Sequence, residues 1–242
     1  MKPKFLSLIS FFCCIFTINA QYKVPFAIIK DKDGYVNVRE NSSIKSKIID
    51  KIYLNQVFED QRHFGSSTRD WIYISYGVKY DKKTQYFKEK TGYIYADRIL
   101  YLENLPQLKK RVINKNNIEF NGNGIKMILK FGKFNNQFHI IKKSNGYVEK
   151  IDNEIPWGID GILPEPFIEI KTIHLIINDK EFSFPKNSLQ GIYQPTTENI
   201  YVSINNDIIF LVMSNGDAAG AYNVVWTIQN GEVIDRFINR DF

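Results

Sequence analysis

Two loops in the second half of the chain combine residue types that bind sugars or peptides. They span residues 157–166 and 215–222. Each joins a carboxylate to glycines and an aromatic ring, Asp160 with Trp157 and Asp217 with Tyr222. Such pockets use a flat face for stacking and a carboxylate that accepts hydrogen bonds from hydroxyl groups. If the loops converge, Asp160, Glu165 and Asp217 also have the chemistry of a general acid and base. The alternative is that glycine and aspartate satisfy turn geometry while the rings cover the core.

The remaining residue types favour no other chemistry. His63, His139 and His174 are scattered, without the i, i+4 spacing or the cysteine partners of a zinc site. His139 and His174 lie in apolar strand patterns, which favours packed or surface imidazoles. The chain has neither a Gly-x-Ser-x-Gly nucleophile motif nor an Asp-x-Asp-x-Asp calcium loop. We therefore expect no metal, no cofactor and no enzymatic activity.

Residues 1–20 have the three parts of an export signal. Lys2 and Lys4 precede an apolar run, residues 5–18, that is too short to span a bilayer as a helix. Ala20 offers a small residue at a cleavage point. The sequence thus predicts an exported protein, periplasmic or secreted, with no stable membrane insertion after cleavage; a retained anchor is the alternative.

Both cysteines, Cys13 and Cys14, lie in this segment. The residues before them lack the Leu-small-small pattern of lipid attachment. The mature chain then has neither disulfides nor a thiolate nucleophile, which excludes papain-like chemistry. Its apolar core alone must stabilise it.

The first half is predicted to consist of consecutive strands over residues 26–102. Val36 and Val38 alternate with Tyr35, Asn37 and Arg39, which is the period of a half-buried strand. Residues 41–46 form a polar loop, and a lysine-rich hairpin runs from 77 to 90.

Four segments of this half carry a family resemblance: 34–40 (Gly-Tyr-Val-Asn-Val-Arg-Glu), 42–52, 70–74 (Asp-Trp-Ile-Tyr-Ile) and 92–99. In this order and spacing they resemble the bacterial SH3-like (SH3b) domain, a small β-barrel that exported proteins commonly use for attachment. The 77–90 hairpin is longer than the tight turn usual there. The resemblance implies a barrel over residues 21–103 that binds an extended peptide in a shallow aromatic groove. The residues expected to contact the ligand are Tyr35, Arg39, Tyr73, Tyr93 and Tyr95, whereas we expect Trp71 to be buried.

The second half is predicted to be an antiparallel β-meander, folded as a sandwich or open barrel. A linker over residues 104–112 precedes it, and the domain covers residues 113–242. Asn-Gly and Asn-Asp pairs mark the tight hairpins, and a short helix is expected within 185–193. The predicted strands are 125–131, 137–142, 146–151, 168–177, 200–204, 208–213, 223–229 and 233–238. Residues 150–240 resemble an uncharacterised region of secreted bacterial proteins with SH3-like domains, which brings no activity with it.

Charge is unevenly distributed along the chain. Residues 21–110 carry a net charge of +6 and residues 111–242 a net charge of −2. The basic half favours an anionic partner, unless it is simply a well-solvated surface. Export and the absence of a basic helix or RNA-binding signature exclude nucleic acid.

Three functions follow from these patterns. The first is a non-enzymatic envelope protein whose SH3-like module binds peptidoglycan peptide, a cell-wall glycan or another envelope ligand. The second is an inhibitor or immunity-type factor that contacts an envelope protein through the C-terminal β domain. The third, less favoured, is hydrolysis by Asp160 and Asp217.

Overall fold

The computed structural model describes residues 25–63, 65, 67–81, 86–216 and 220–240, with the side chains of 78–87 left out. The predicted signal peptide and both cysteines lie outside this part of the chain. Within it, we find no helix that is both long and apolar enough to cross a membrane.

The first half forms one antiparallel sheet of seven strands. They are β1 (Phe26–Ile29), β2 (Tyr35–Arg39), β3 (Ile48–Tyr53), β4 (Phe58–Asp60), β5 (Trp71–Asp81), β6 (Tyr86–Tyr95) and β7 (Ile99–Tyr101). Their order is β3-β2-β6-β5-β4-β1-β7. Among the described strands the edges β3 and β7 do not pair, so the closed barrel implied by the resemblance is replaced by an open sheet. The sheet still curls around a core of its own, which includes Val38, Ile52, Phe58, Ile74 and Ile94.

The second half contains two larger sheets and a hairpin. Its strands are β8 (Lys109–Asn114), β9 (Asn117–Gly122), β10 (Ile125–Lys133), β11 (Ile141–Ser144), β12 (Tyr147–Ile151), β13 (Ile168–Ile177), β14 (Lys180–Ser183), β15 (Ile200–Asn205), β16 (Ile208–Asn215), β17 (Tyr222–Gln229) and β18 (Glu232–Arg240). The five-stranded sheet has the order β14-β13-β10-β9-β8, the four-stranded sheet runs β15-β16-β17-β18, and β11 pairs with β12. A single helical turn, α1 (Lys186–Leu189), lies in the predicted interval. The mostly-β antiparallel fold is confirmed.

The tight turns follow the residue types that mark them. Asn145 and Gly146 have φ values of 50° and 85°, and Asn230 and Gly231 have 54° and 84°. These left-handed conformations are those that a two-residue hairpin turn requires, and asparagine and glycine adopt them at low cost.

The strand predicted over residues 137–142 is wrong. Residues Asn136–Phe138 form a 3-10 turn, because the Asn135 side chain accepts a hydrogen bond from the Gln137 N–H and caps it. Strand β11 begins only at Ile141. His139 therefore lies between a turn and a strand, rather than inside a strand.

The four-stranded sheet is buried on both faces. Ile209, Leu211 and Met213 of β16 pack into the sandwich with the five-stranded sheet. Phe210 and Val212 of the same strand point the other way, into a cluster with the first half. The unbroken apolar sequence of β16 is therefore the signature of a strand with a core on each side.

The segment assigned to a linker, residues 104–112, is packed between the two halves. Leu105 and Leu108 are buried, and the Leu108 N–H donates to the Val202 carbonyl at 3.0 Å. The Ser203 hydroxyl donates to the Leu102 carbonyl at 2.7 Å. From Lys109 the chain is already in strand β8. The proline and the charged residues predicted a loop. Instead, the segment is held against β15 by backbone hydrogen bonds and by the burial of the two leucines.

The packing against the first half predicts a large effect of truncating Phe210. This side chain is fully buried among residues from both halves. Phe210→Ala should lower the free energy of unfolding by about 3–5 kcal/mol, because it removes buried apolar area and leaves a cavity. Urea unfolding of the mature chain measures this.

The matched control is Phe138→Ala, since Phe138 is 78% exposed. It should change the same free energy by less than about 0.5 kcal/mol. Equal effects of the two substitutions would contradict the proposed role of the interface.

Candidate functional site

Strand alternation brings the predicted ligand-contact residues to one face of the first sheet. Val36 and Val38 of β2 are buried, whereas Tyr35 and Arg39 are partly exposed on the opposite face. We call this opposite face of the first sheet its outer face. Since directly opposed residues of an antiparallel pair share a face, Trp71 with Tyr95 and Tyr73 with Tyr93 also lie together.

A shallow groove of about 180 Å³ runs over this face. Tyr35, Arg39, Trp71 and Tyr95 line it. The Trp71 and Tyr95 rings meet edge to face with centroids 5.4 Å apart, and the Arg39 guanidinium lies 6.0 Å from the Trp71 ring centre. Trp71 is 9% exposed and supports the groove from below, while Tyr95 is 41% exposed.

Tyr73 and Tyr93 form a second aromatic pair beside the groove, with ring centroids 5.1 Å apart. Gly65 lies directly against the Tyr73 ring, so close that a β-carbon there would be 2.3 Å from it. The Ser67 hydroxyl accepts a hydrogen bond from the Tyr73 N–H at 3.0 Å. The preceding loop therefore covers part of the Tyr73 side of this pair.

Charges of both signs border the groove. Asp31 and Asp33 lie at its rim with Arg98, whose guanidinium pairs with Asp31 at 2.6 Å. Arg39 donates to the Ser46 carbonyl at 2.6 Å, so it also holds the polar loop 41–46 in place. Because a guanidinium has five N–H donors, this bond leaves others for a ligand.

The two loops of the second half do converge. Gly158, Asp160 and Ile162 of the first loop and Gly216 and Gly220 of the second line one cavity of about 270 Å³. A β-carbon at Gly220 would lie 3.1 Å from the Ile159 nitrogen. The loops can approach this closely because glycine lacks that atom.

The aromatic rings of these loops belong to the core, so their assignment as ligand-stacking faces is wrong. Tyr222 is fully buried and donates to the Tyr193 carbonyl at 2.7 Å, and Trp157 is 7% exposed. Their ring centroids are 6.2 Å apart. Asp160 is exposed beside the cavity, whereas Asp217 lies outside the described residues. The acid and base pair therefore remains a hypothesis.

A charged cluster that the sequence analysis did not predict lies in the second half. His139 Nδ1 is 2.6 Å from Asp152 Oδ2, and its Nε2 is 3.3 Å from Glu169 Oε2. Lys171 pairs with the other oxygen of Glu169. The imidazole stacks on Phe134, with centroids 4.2 Å apart and planes 19° apart. We call these four residues, His139, Asp152, Glu169 and Lys171, the His139 cluster.

The sequence carries little signal for this cluster. Its acidic members come from a turn after β12 and from β13, and the placement of His139 depends on the capped turn before it. The positions of His139, Asp152 and Glu169 follow no regular spacing in the sequence that would predict their contact. His174 instead pairs with Glu181 across β13 and β14, at 3.5 Å. The residues that the structure describes include no group of three or more side chains suited to holding a metal ion.

Hydrogen bonding perturbs the ionisation of Asp152. Burial opposes ionisation, but hydrogen bonds from the Ile140 N–H and the His139 ring more than offset it. The pKa of Asp152 therefore lies below its ordinary value of 3.8. The ionised carboxylate is fixed by two donors and holds the turn against the imidazole.

No protein-family model matches the chain, and no curated protein or solved structure matches it at a significant level.

The lowered pKa of Asp152 predicts a pH-dependent contribution to stability. A carboxyl group with a depressed folded-state pKa stabilises the fold above its unfolded-state value, and this contribution is lost as pH falls through the folded-state pKa. Asp152→Asn should therefore unfold more easily than the wild type at neutral pH. The gap should shrink as pH falls below 3.8, as measured by urea unfolding at a series of pH values.

Asp160→Asn is the control, since the Asp160 carboxylate is exposed and lies outside the His139 cluster. A gap for Asp152→Asn that stays constant down to about pH 3 would contradict the argument.

Proposed function

We propose that this protein is an exported, non-enzymatic binding protein of the cell envelope, and that its outer-face groove binds peptidoglycan peptide or another envelope ligand. One observation carries the proposal. Tyr35, Arg39 and Tyr95 were selected as ligand contacts from the sequence, and they line one groove together with Trp71.

The groove suits an extended chain better than a compact molecule. At about 180 Å³ it is smaller than the usual range for small-molecule pockets. Its aromatic side chains can pack against the peptide planes of a ligand and against the aliphatic parts of the ligand's side chains. The groove is lined by two carboxylates, Asp31 and Asp33, and by two guanidinium groups, Arg39 and Arg98. This mixture of charges favours a ligand that carries both amine and carboxylate groups. Wall peptides have that chemistry.

Long-range charge adds attraction to this local recognition. The first half carries a net charge of +6, and the Lys51 ammonium lies 3.6 Å from the centre of the Tyr35 ring. An anionic wall polymer would be drawn to this face. Because the groove is open to solvent, salt should weaken the attraction.

Co-sedimentation of the mature chain, residues 21–242, with purified peptidoglycan tests the proposal. The wild type should sediment with the polymer, and Tyr95→Ala should weaken binding about fivefold, since one aromatic contact contributes about 1 kcal/mol. Arg39→Ala should weaken it at least as much, whereas Arg39→Lys should recover part of the loss by restoring the charge.

Matched controls come from elsewhere on the chain. Tyr147→Ala removes a tyrosine that is 58% exposed on the β11–β12 hairpin, and Arg111→Ala removes an exposed arginine of β8. Both should bind like the wild type. Equal loss in controls and groove variants, or no sedimentation of the wild type, would refute the proposal.

A specific observation also favours the inhibitor or immunity-type role as a second candidate. Ile162 is 66% exposed at the tip of loop 157–166, and Tyr147 lies beside it against Gly161. Two exposed apolar side chains next to the exposed Asp160 resemble the anchor of a protein interface. For this role, Ile162→Asp would abolish a defined envelope complex that Tyr95→Ala leaves intact.

A further inference from the structure

A third cavity, larger than the two at the candidate sites, lies against the His139 cluster. It measures about 450 Å³, within the usual range for small-molecule sites. The turn at Phe138 and His139, strand β13 and the α1 segment form its walls. It belongs to the second half and does not share residues with the outer-face groove.

The His139 cluster presents fixed carboxylates to this cavity. An ionised carboxylate only accepts hydrogen bonds. The imidazole lies between the two carboxylates, with Nδ1 2.6 Å from Asp152 and Nε2 3.3 Å from Glu169. The side chains of His139, Asp152 and Glu169 are 17%, 25% and 12% exposed. They are therefore held in place while part of their surface still faces the opening.

The polar groups can recognise hydroxyl groups. Each carboxylate oxygen has a second lone pair, beyond the one that its partner in the cluster uses. Tyr193 also lines the cavity, and burial together with the charges of Asp152 and Glu169 raises the pKa of its hydroxyl. The hydroxyl group therefore stays protonated at neutral pH, in a residue that is only 4% exposed. Gln190 adds an amide beside them.

Part of the lining is apolar. It includes Leu189 and Ile192, and Phe138 adds an aromatic side chain that is 78% exposed. A sugar ring has the complementary shape, with hydroxyl groups around its edge and C–H bonds on its faces. An exposed aromatic ring beside fixed hydrogen-bonding groups is the arrangement that stacks on such a face.

Two lysines add selectivity for an acidic ligand. The Lys171 side chain is 40% exposed, and Lys186 is exposed at the start of α1. Lys171 neutralises Glu169, while no ion pair between Lys186 and another described residue is found within 4.0 Å. We propose that this cavity binds a carboxylate-bearing sugar, with the His139 cluster contacting its hydroxyl groups and Lys186 contacting its carboxylate.

Titration of the mature chain with D-glucuronate, D-glucose and acetate tests the two parts of this recognition. Binding is followed by calorimetry and by the NMR signals of the His139 ring. D-Glucuronate should bind and shift those signals, D-glucose should bind more weakly, and acetate should bind least. Acetate binding as tightly as D-glucuronate, or no binding of D-glucuronate, would overturn the proposal.

Lys186→Ala separates the carboxylate contact from the hydroxyl contacts. It should weaken D-glucuronate binding about fivefold, as expected for one partly exposed charge, and leave D-glucose binding unchanged. Lys180→Ala, at an exposed lysine of β14, is the control and should change neither. Equal weakening of both sugars by Lys186→Ala would refute the assigned role of Lys186.

Glu169→Gln removes the central carboxylate and should weaken both sugars about tenfold or more, because His139 and Lys171 lose their shared partner. Thermal unfolding establishes that the variant is folded. Its control is Glu149→Gln, at an exposed position of β12. Unchanged sugar binding in folded Glu169→Gln would overturn the proposal. The result is independent of whether the outer-face groove binds wall peptide.

Discussion

The burial of the four-stranded sheet on both faces determines how the rest of the molecule is arranged. One face packs against the five-stranded sheet through Leu211, Val224 and Trp226. The other packs against Phe26 and Ile28 of β1 and against Leu102. Side chains of this sheet therefore form part of the hydrophobic core beneath the five-stranded sheet and part of the core beneath the first half. Because the apolar faces are used in this way, the outer face of the first sheet and the loops of the second half are left facing solvent.

Local sequence patterns predicted the strands and turns well where interactions between residues close in the sequence determine the structure. Alternation identified β2, apolar runs identified β13 and β16, and asparagine pairs identified the hairpin turns. Prediction failed where contacts between residues far apart in the sequence determine the structure. The strand β8 begins in what resembled a linker, because Leu105 and Leu108 find partners on β15. Nothing in the local sequence reveals those partners.

The same distinction separates the two candidate sites. The outer-face groove is made by neighbouring strands, and period-two alternation explains why Tyr35, Arg39 and Tyr95 share its face. Their selection as ligand contacts came from the family resemblance. The His139 cluster is made by a capped turn, a second turn and a strand, and its members carry no common period. The sequence left open whether the two loops of the second half converge, which they do at Gly158 and Gly220, and the burial of Trp157 and Tyr222 required knowledge of the core.

The contact between the first strand and the last strand has a consequence for synthesis. Phe26 of β1 meets Phe237 of β18 with ring centroids 5.7 Å apart, and Asn239 donates to Glu59, 180 residues earlier. Closing loops of this length delays native contacts and slows folding. As the chain emerges from the ribosome, β1 therefore has no cover for its second apolar face until β16 to β18 follow. The first half must pass through a stage in which that surface is open to aggregation or to chaperones, and only the arrival of the last strand ends it.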